Sequence, residues 1–211
     1  MPIFHVGDAD SHTQGTRLAI SGMRAGEVWG LNSDSSYALA TDAFSSGVEK
    51  IRNLKKQENF MTPVLIGRPE TLIGVVNKVT EEMQLLMDAF WPGPLSFIAK
   101  PNQTLAWSGS NDAITVRMPA NAWTLEVISA LGPTVAVAAS RGTNKAPTSA
   151  IQGAELWGSD VENWLDSGLA DKDLVSTIID FRGTKPNIVR LGALSASKLR
   201  QVVPAISMIA D

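Results

Sequence analysis

Two rhythms of apolar residues alternate along the chain. Short runs rich in β-branched and aromatic residues give way to stretches whose apolar positions recur three or four residues apart. Thr16 to Arg24 has helical spacing, and Gly26 closes it. EVWGL (27–31) reads as a strand, NSDSS (32–36) as a polar loop, and YALATDAF as a strand that turns at its end. Ser45 or Ser46 is placed to cap a helix running to Lys55, with Glu49 in its first turn and Val48, Ile51 and Leu54 on one face. PVLIG (63–67) is a strand; PETLIGVVN and VTEEMQLLMDAF are helical patterns. LSFIA (95–99) and ITVRMP (114–119) are strands, and PTVAVAAS (133–140) is apolar enough for a strand buried on both faces. Between the last two, NAWTLEVISALG is a helix from Asn121 to the stop at Gly132. IQGAELWG is helical, VENWLDSG is strand-like or turning, VSTIIDF (175–181) and Ile188–Arg190 are strands, and SASKLRQVV is a closing helix capped by Ser195. Residues 1–15 and 102–113 read as irregular, the former with room for a short edge strand. Strands alternating with helices predict an α/β sheet covered on both faces. No repeat, linker or low-complexity stretch divides residues 1–211, so one domain is expected.

One stretch interrupts the rhythm. In FWPGPLSFIAK (90–100), Pro92 and Pro94 each fix φ and remove a backbone donor, so the preceding helix must stop. A rigid turn feeding an apolar strand suits a ligand site, and equally an ordinary helix-to-strand connection.

Composition removes several chemistries. The chain has no cysteine, so it has no disulfide, thiolate metal site or Cys nucleophile, and its two histidines, His5 and His12, leave little scope for His-based triads. A formal charge of −3 argues against a surface that coats nucleic acid, while leaving room for a local basic cleft. The acidic start MPIFHVGDAD is no secretory signal, and no apolar run is long enough for a membrane span, so a cytoplasmic protein is expected. There is no GxxxxGK[ST], no GxGxxG after a strand and no GxSxG. No carboxylate cluster has metal-ligand spacing, and Asp34 and Asp42 read as caps.

What remains is a set of polar loops at strand ends: Ser33–Ser36, Lys55–Gln57, Ser140–Lys145 and Ser176–Thr177, with Arg117 and Arg190 at strand ends of their own. Cationic groups interleaved with hydroxyls can cradle a phosphate or carboxylate, and open α/β sheets gather ligands at strand carboxyl ends. Solvated loops with unrelated charges fit the same pattern.

Five segments in order resemble the Sua5/YciO/YrdC family over essentially the whole chain. FWPGPLSFIA is similar to its Trp-Pro-Gly-Pro-Leu-Thr segment, with Ser96 in the threonine place. LNSDSSYALATDAF is similar to its Pro-Thr-Asp-Thr-x-Tyr-Gly-Leu strand and turn, through Ser33, Asp34, Ser35 and Tyr37. ITVRMP matches Val-Arg-x-Pro, VSTIIDF matches Ser-Thr-Ile-Val-Asp, and IVRLGAL matches an Arg-x-Gly end. The resemblance implies a twisted open mixed sheet with helices on both faces around a large concave basic cleft. It implies L-threonylcarbamoyladenylate synthesis from ATP, L-threonine and bicarbonate, with Mg²⁺ accompanying the triphosphate, as the first step of threonylcarbamoyl modification of a tRNA adenosine. By motif, Lys55, Ser140 and Arg190 are the expected catalytic and phosphate-binding residues. Arg117, Arg141, Ser176 and Thr177 complete the nucleotide side, and Ser33, Ser35 and Tyr37 line the amino-acid side.

Two motifs depart from the pattern. The family's Lys-x-Arg reads Lys55-Lys56-Gln57, and its Ser-x-Asn reads Ser140-Arg141-Gly142. Gln57 carries no charge and no guanidinium fork. Either Lys56 or Arg141 restores the charge and Asn144 the amide, or the site has decayed. The resemblance therefore leaves two functions open: the synthase, and a weakened paralogue that binds nucleotide or double-stranded RNA, with a regulatory role beside a complete relative as one form of the latter.

Overall fold

The computed structural model describes residues 2–56, 61–102 and 112–208. In chain order the elements are β1 (Ile3–His5), α1 (Ala9–Arg24), β2 (Trp29–Asn32), β3 (Tyr37–Asp42), α2 (Gly47–Lys55), β4 (Thr62–Leu65), α3 (Leu72–Val75), α4 (Glu81–Phe90), β5 (Leu95–Ala99), β6 (Ile114–Arg117), α5 (Ala122–Leu131), β7 (Thr134–Ala138), α6 (Ala150–Trp157), β8 (Asn163–Asp166), β9 (Thr177–Asp180), β10 (Asn187–Arg190), α7 (Ala196–Val202) and β11 (Ser207–Met208). The strands form one mixed sheet in the order β1-β8-β2-β3-β7-β4-β6-β5-β9-β10-β11.

Alternation within the strands splits the core in two. Tyr37, Leu39, Val64, Val135 and Trp164 point to one face, where α2, α3, α4, α6 and α7 pack. Their neighbours Ala38, Ala40, Leu65, Ala136 and Leu165 point to the other, beneath α1 and α5. A strand buried on both faces has no polar alternation to show, which is why these runs read as continuously apolar. β4 meets β7 through Val64↔Val135 and Leu65↔Thr134, as short a pairing as that of β2 with β8. β3 and β7, by contrast, pair over five residues, Ala38↔Ala138 to Asp42↔Thr134.

Several boundaries differ from the sequence reading. α1 starts at Ala9, well before Thr16, because the Asp8 carboxylate accepts the Ser11 N–H at 2.9 Å and caps the helix there. Its early turns bury Gly15 against Phe4 and Trp123, so no large apolar residue advertises that face. PETLIGVVN yields only a short 3₁₀ turn at Pro69–Thr71 and the single turn of α3, after which Val76 becomes extended and pairs with Pro101. VENWLDSG contains β8, set between β1 and β2, and β11 was not anticipated. Gln57 and most of the 102–113 stretch lie outside the described residues.

Candidate anion-binding site

Lys55 occupies the last turn of α2, and Lys56 beyond it takes a left-handed φ of 52° that ends the helix. The Lys55 Nζ group donates to the Ala138 carbonyl at 3.0 Å, to Ser140 Oγ at 2.8 Å and to the Ser140 carbonyl. An ammonium has three N–H donors, and all three are met at the end of β7. A phosphate reaching Lys55 must take over at least one of those bonds. Burial lowers the Lys55 pKa from its ordinary value.

A second cationic cluster sits where β6 ends and β9 begins. Arg117, 8% exposed, donates from Nη1 to Asp34 Oδ2 at 3.0 Å and to Ser176 Oγ at 3.3 Å, and from Nη2 to the Ser33 carbonyl at 2.6 Å. Arg190 is exposed, and its Nε and Nη2 both donate to the Ser176 carbonyl, at 3.1 and 2.8 Å. Ser176 thus meets one guanidinium with its hydroxyl and the other with its carbonyl. Burial lowers the pKa of Arg117; Asp34 opposes the shift and the Arg190 charge adds to it. Both arginines stay protonated regardless.

The 33–36 turn packs against Arg117. The Ser33 N–H and hydroxyl both donate to the Ser36 carbonyl at 2.9 Å. Asp34 has φ 71°, a left-handed conformation that Asp tolerates better than most residues. Its carboxylate receives Arg117 and the N–H groups of Ala120, at 3.1 and 3.0 Å, and Asn121, at 2.7 Å. Three residues on, the Tyr37 carbonyl accepts the Ala139 N–H at 2.9 Å, one residue before Ser140. The turn therefore touches Arg117, and Tyr37 just after it touches the strand end that carries Ser140.

The tryptophan turn supports the same region. The Gly93 N–H donates to the Met118 carbonyl at 2.9 Å, and the Pro94 carbonyl accepts the Thr177 N–H at 2.9 Å, which sets β5 beside the start of β9. Trp91 stacks on Phe97 with ring centroids 4.8 Å apart. This stretch acts here as a scaffold turn. Gly192 also keeps two segments close, since a Cβ there would strike the Val175 carbonyl and the Ser176 backbone.

The structure pairs Lys55 with Ser140, Arg117 with Ser176 and the turn, and Arg190 with Ser176; Ser33 and Ser35 lie on the turn, half-buried. Three expected contacts are occupied from within the protein. Tyr37 is fully buried, its hydroxyl donating to the Gly168 carbonyl at 2.8 Å with Asp166 Oδ1 nearby at 3.3 Å; burial, then the Asp166 charge, raises its pKa. Thr177 is also fully buried, and its hydroxyl donates to the Leu194 carbonyl at 2.8 Å while accepting the Gly192 and Leu194 N–H groups. It holds the 192–194 turn instead of facing solvent. Arg141 pairs with Asp160 at 2.6 Å, donates to the Leu156 carbonyl at 3.0 Å and lies 4.9 Å over the Trp157 ring, so its guanidinium is committed to the end of α6. Gly142 is exposed with φ 58°, and a Cβ there meets nothing within 4 Å.

Two features of the site were not legible from the sequence. Asp34, expected as a cap, instead accepts the N–H groups of Ala120 and Asn121 ahead of α5, which Asn121 itself caps, and pairs a buried arginine. The segment before β9 also borders the site: the Ala170 N–H donates to the Thr148 carbonyl and the Asp171 N–H to the Asp34 carbonyl, both at 2.8 Å. Nothing local in SGLADKDL signals either contact.

Lys55 at the end of β7, with Arg117 and Arg190 at the ends of β6 and β10, gives an open α/β sheet whose strand ends carry cationic side chains. The chain belongs to the Sua5/YciO/YrdC family, whose model, described as "Telomere recombination", matches residues 21–192. A Mycobacterium tuberculosis protein named provisionally as a threonylcarbamoyl-AMP synthase is 28% identical over 204 residues, 95% of this chain and 94% of that protein. The structure of Pyrococcus abyssi Sua5 complexed with L-threonine superposes with a TM-score of 0.88 at 26% identity, covering 99% of this chain and 62% of the Sua5 chain. E. coli YciO shares the fold at a TM-score of 0.78 and 20% identity, over 94% of this chain and 98% of that one. This chain therefore spans less than two thirds of the Pyrococcus protein.

Proposed function

We propose that this chain forms L-threonylcarbamoyl-AMP and diphosphate from L-threonine, bicarbonate and ATP, serving threonylcarbamoyl modification of tRNA. What supports the reading is Lys55 held on Ser140 and Arg190 held on Ser176 at strand ends, in a chain whose relatives bear that activity in their names. The threonine amine and bicarbonate give a carbamate with loss of water, and a carbamate oxygen attacks the α-phosphorus of ATP as diphosphate leaves. No protein nucleophile is needed; the protein must align two anions and stabilise the charge of the transferring phosphoryl centre. Lys55, Ser140 and Arg190 are assigned to the phosphates and Ser33 and Ser35 to the amino-acid side. Mg²⁺ enters with the triphosphate as its counter-ion.

The test is diphosphate release that requires ATP, threonine and bicarbonate together, with the adenylate identified by mass. Lys55→Ala should lower the rate by about 100-fold or more, on the scale of lost transition-state charge stabilisation. Release independent of threonine would defeat the proposal.

Gln57 and Gly142 favour a second reading, a paralogue that binds nucleotide or double-stranded RNA without turnover. Refilling both positions, Gln57→Arg with Gly142→Asn, separates the two. Asn tolerates the left-handed φ at residue 142, and the space is open. If the double change creates activity absent from the natural chain, the second reading holds. Duplex binding, if present, should weaken steeply with salt through counterion release.

A further inference from the structure

Arg117 is the most buried cation at the site, and its partners are all internal. It spans three segments: Asp34 and the Ser33 carbonyl on the β2–β3 turn, Ser176 before β9, and its own position at the end of β6. The Asp34 carboxylate has no free face either, since Ala120 and Asn121 donate to it beside Arg117. A buried carboxylate and guanidinium in contact cancel each other's charge toward a ligand. Arg190 differs. It is exposed, two of its N–H groups rest on the Ser176 carbonyl, and among the described residues its Nη1 has no hydrogen-bond partner. Ser176 is the only residue that both guanidiniums touch among the described hydrogen bonds.

We infer that the Asp34–Arg117 pair is a positioning strut, not a phosphate clamp: it fixes Ser176, and through Ser176 it aims Arg190 at the ligand's phosphates. This deepens the proposed function and rests on it for the turnover arm of the test. Removing both charges together, Asp34→Asn with Arg117→Met, avoids stranding either one in the interior, the main reason single changes there would unfold the chain.

The probe for binding is tripolyphosphate, measured by calorimetry, since it reports charge recognition without adenine or threonine. The neutral-strut variant should bind it within about threefold of the natural chain, whereas Arg190→Met should lose about tenfold or more. In diphosphate release the neutral-strut variant should lose about tenfold in kcat, because phosphates held but misaligned react slowly. Arg190→Met should lose in both measurements. Loss of tripolyphosphate affinity in the neutral-strut variant equal to that of Arg190→Met overturns the inference, as does an unchanged kcat, which would make the pair merely structural. Absence of tripolyphosphate binding by the natural chain overturns it too. If the neutral-strut variant does not fold, Arg117→Lys takes its place and must keep tripolyphosphate affinity while melting at lower temperature. Failure of the synthase reading shows separately, as binding without threonine-dependent diphosphate release.

Discussion

At the scale of single residues, partners determine what a charge can do. Lys55 and Arg141 look alike in sequence as cations in polar loops. In the fold, Lys55 faces the end of β7 while Arg141 is spent on Asp160 and the α6 carbonyls. Burial puts the Lys55 pKa below its ordinary 10.5. In the folded chain it therefore gives up its proton at lower pH than in the unfolded chain. Between those two pH values the unfolded chain holds more protons, so folding stability rises with pH across that window. Anion affinity moves the other way. Tripolyphosphate binding, followed by calorimetry from neutral to alkaline pH, should weaken below pH 10.5, and Lys55→Arg should shift that loss upward, because a guanidinium does not titrate there. A binding curve flat to above the ordinary lysine range would show that Lys55 does not meet the anion.

Elements lock together through size as well as polarity. Trp164 of β8 lies against Gly30 of β2 and Gly153 of α6, where any Cβ would overlap its ring. Alanine normally favours a helix over glycine by about 1 kcal/mol. Here the overlap reverses the sign, and Gly153→Ala should destabilise the chain by about 1–3 kcal/mol, the usual range for an overfilled core. Chemical denaturation of the variant checks this; a rise in the midpoint would mean that the ring has room to move. The same interlocking explains what could be read beforehand. Helices with large apolar residues on one face, such as α4 and α5, were legible from spacing, and the cap expected at Asn121 forms. The first turns of α1 were not, because their buried face uses glycine, and the role of Asp34 was not, because its partners lie far along the chain.

For the whole molecule, the sheet order sets both stability and site. β3 and β7 lie inside the sheet, pair over five residues and are flanked by both halves of the core, while β1 and β11 are its edges. Amide hydrogen exchange should be slowest in β3 and β7 and fastest in β11, since edge strands of two or three residues open without global unfolding. Protection of β11 equal to that of β7 would point to an unrecognised cover on that edge. No helix among the described residues is long and apolar enough to cross a membrane.

Local chemistry was enough to specify the alternating strands and helices, the family motifs and the cationic residue types. These depend on short-range periodicity, caps and prolines, which act within a few residues. Only the tertiary structure determined that Arg117 turns inward onto Asp34, that Tyr37 and Thr177 serve the scaffold, and that Arg117 and Arg190 meet on Ser176. Those outcomes depend on which distant backbone groups fill a side chain's hydrogen bonds, and pairings across the sheet leave no local trace.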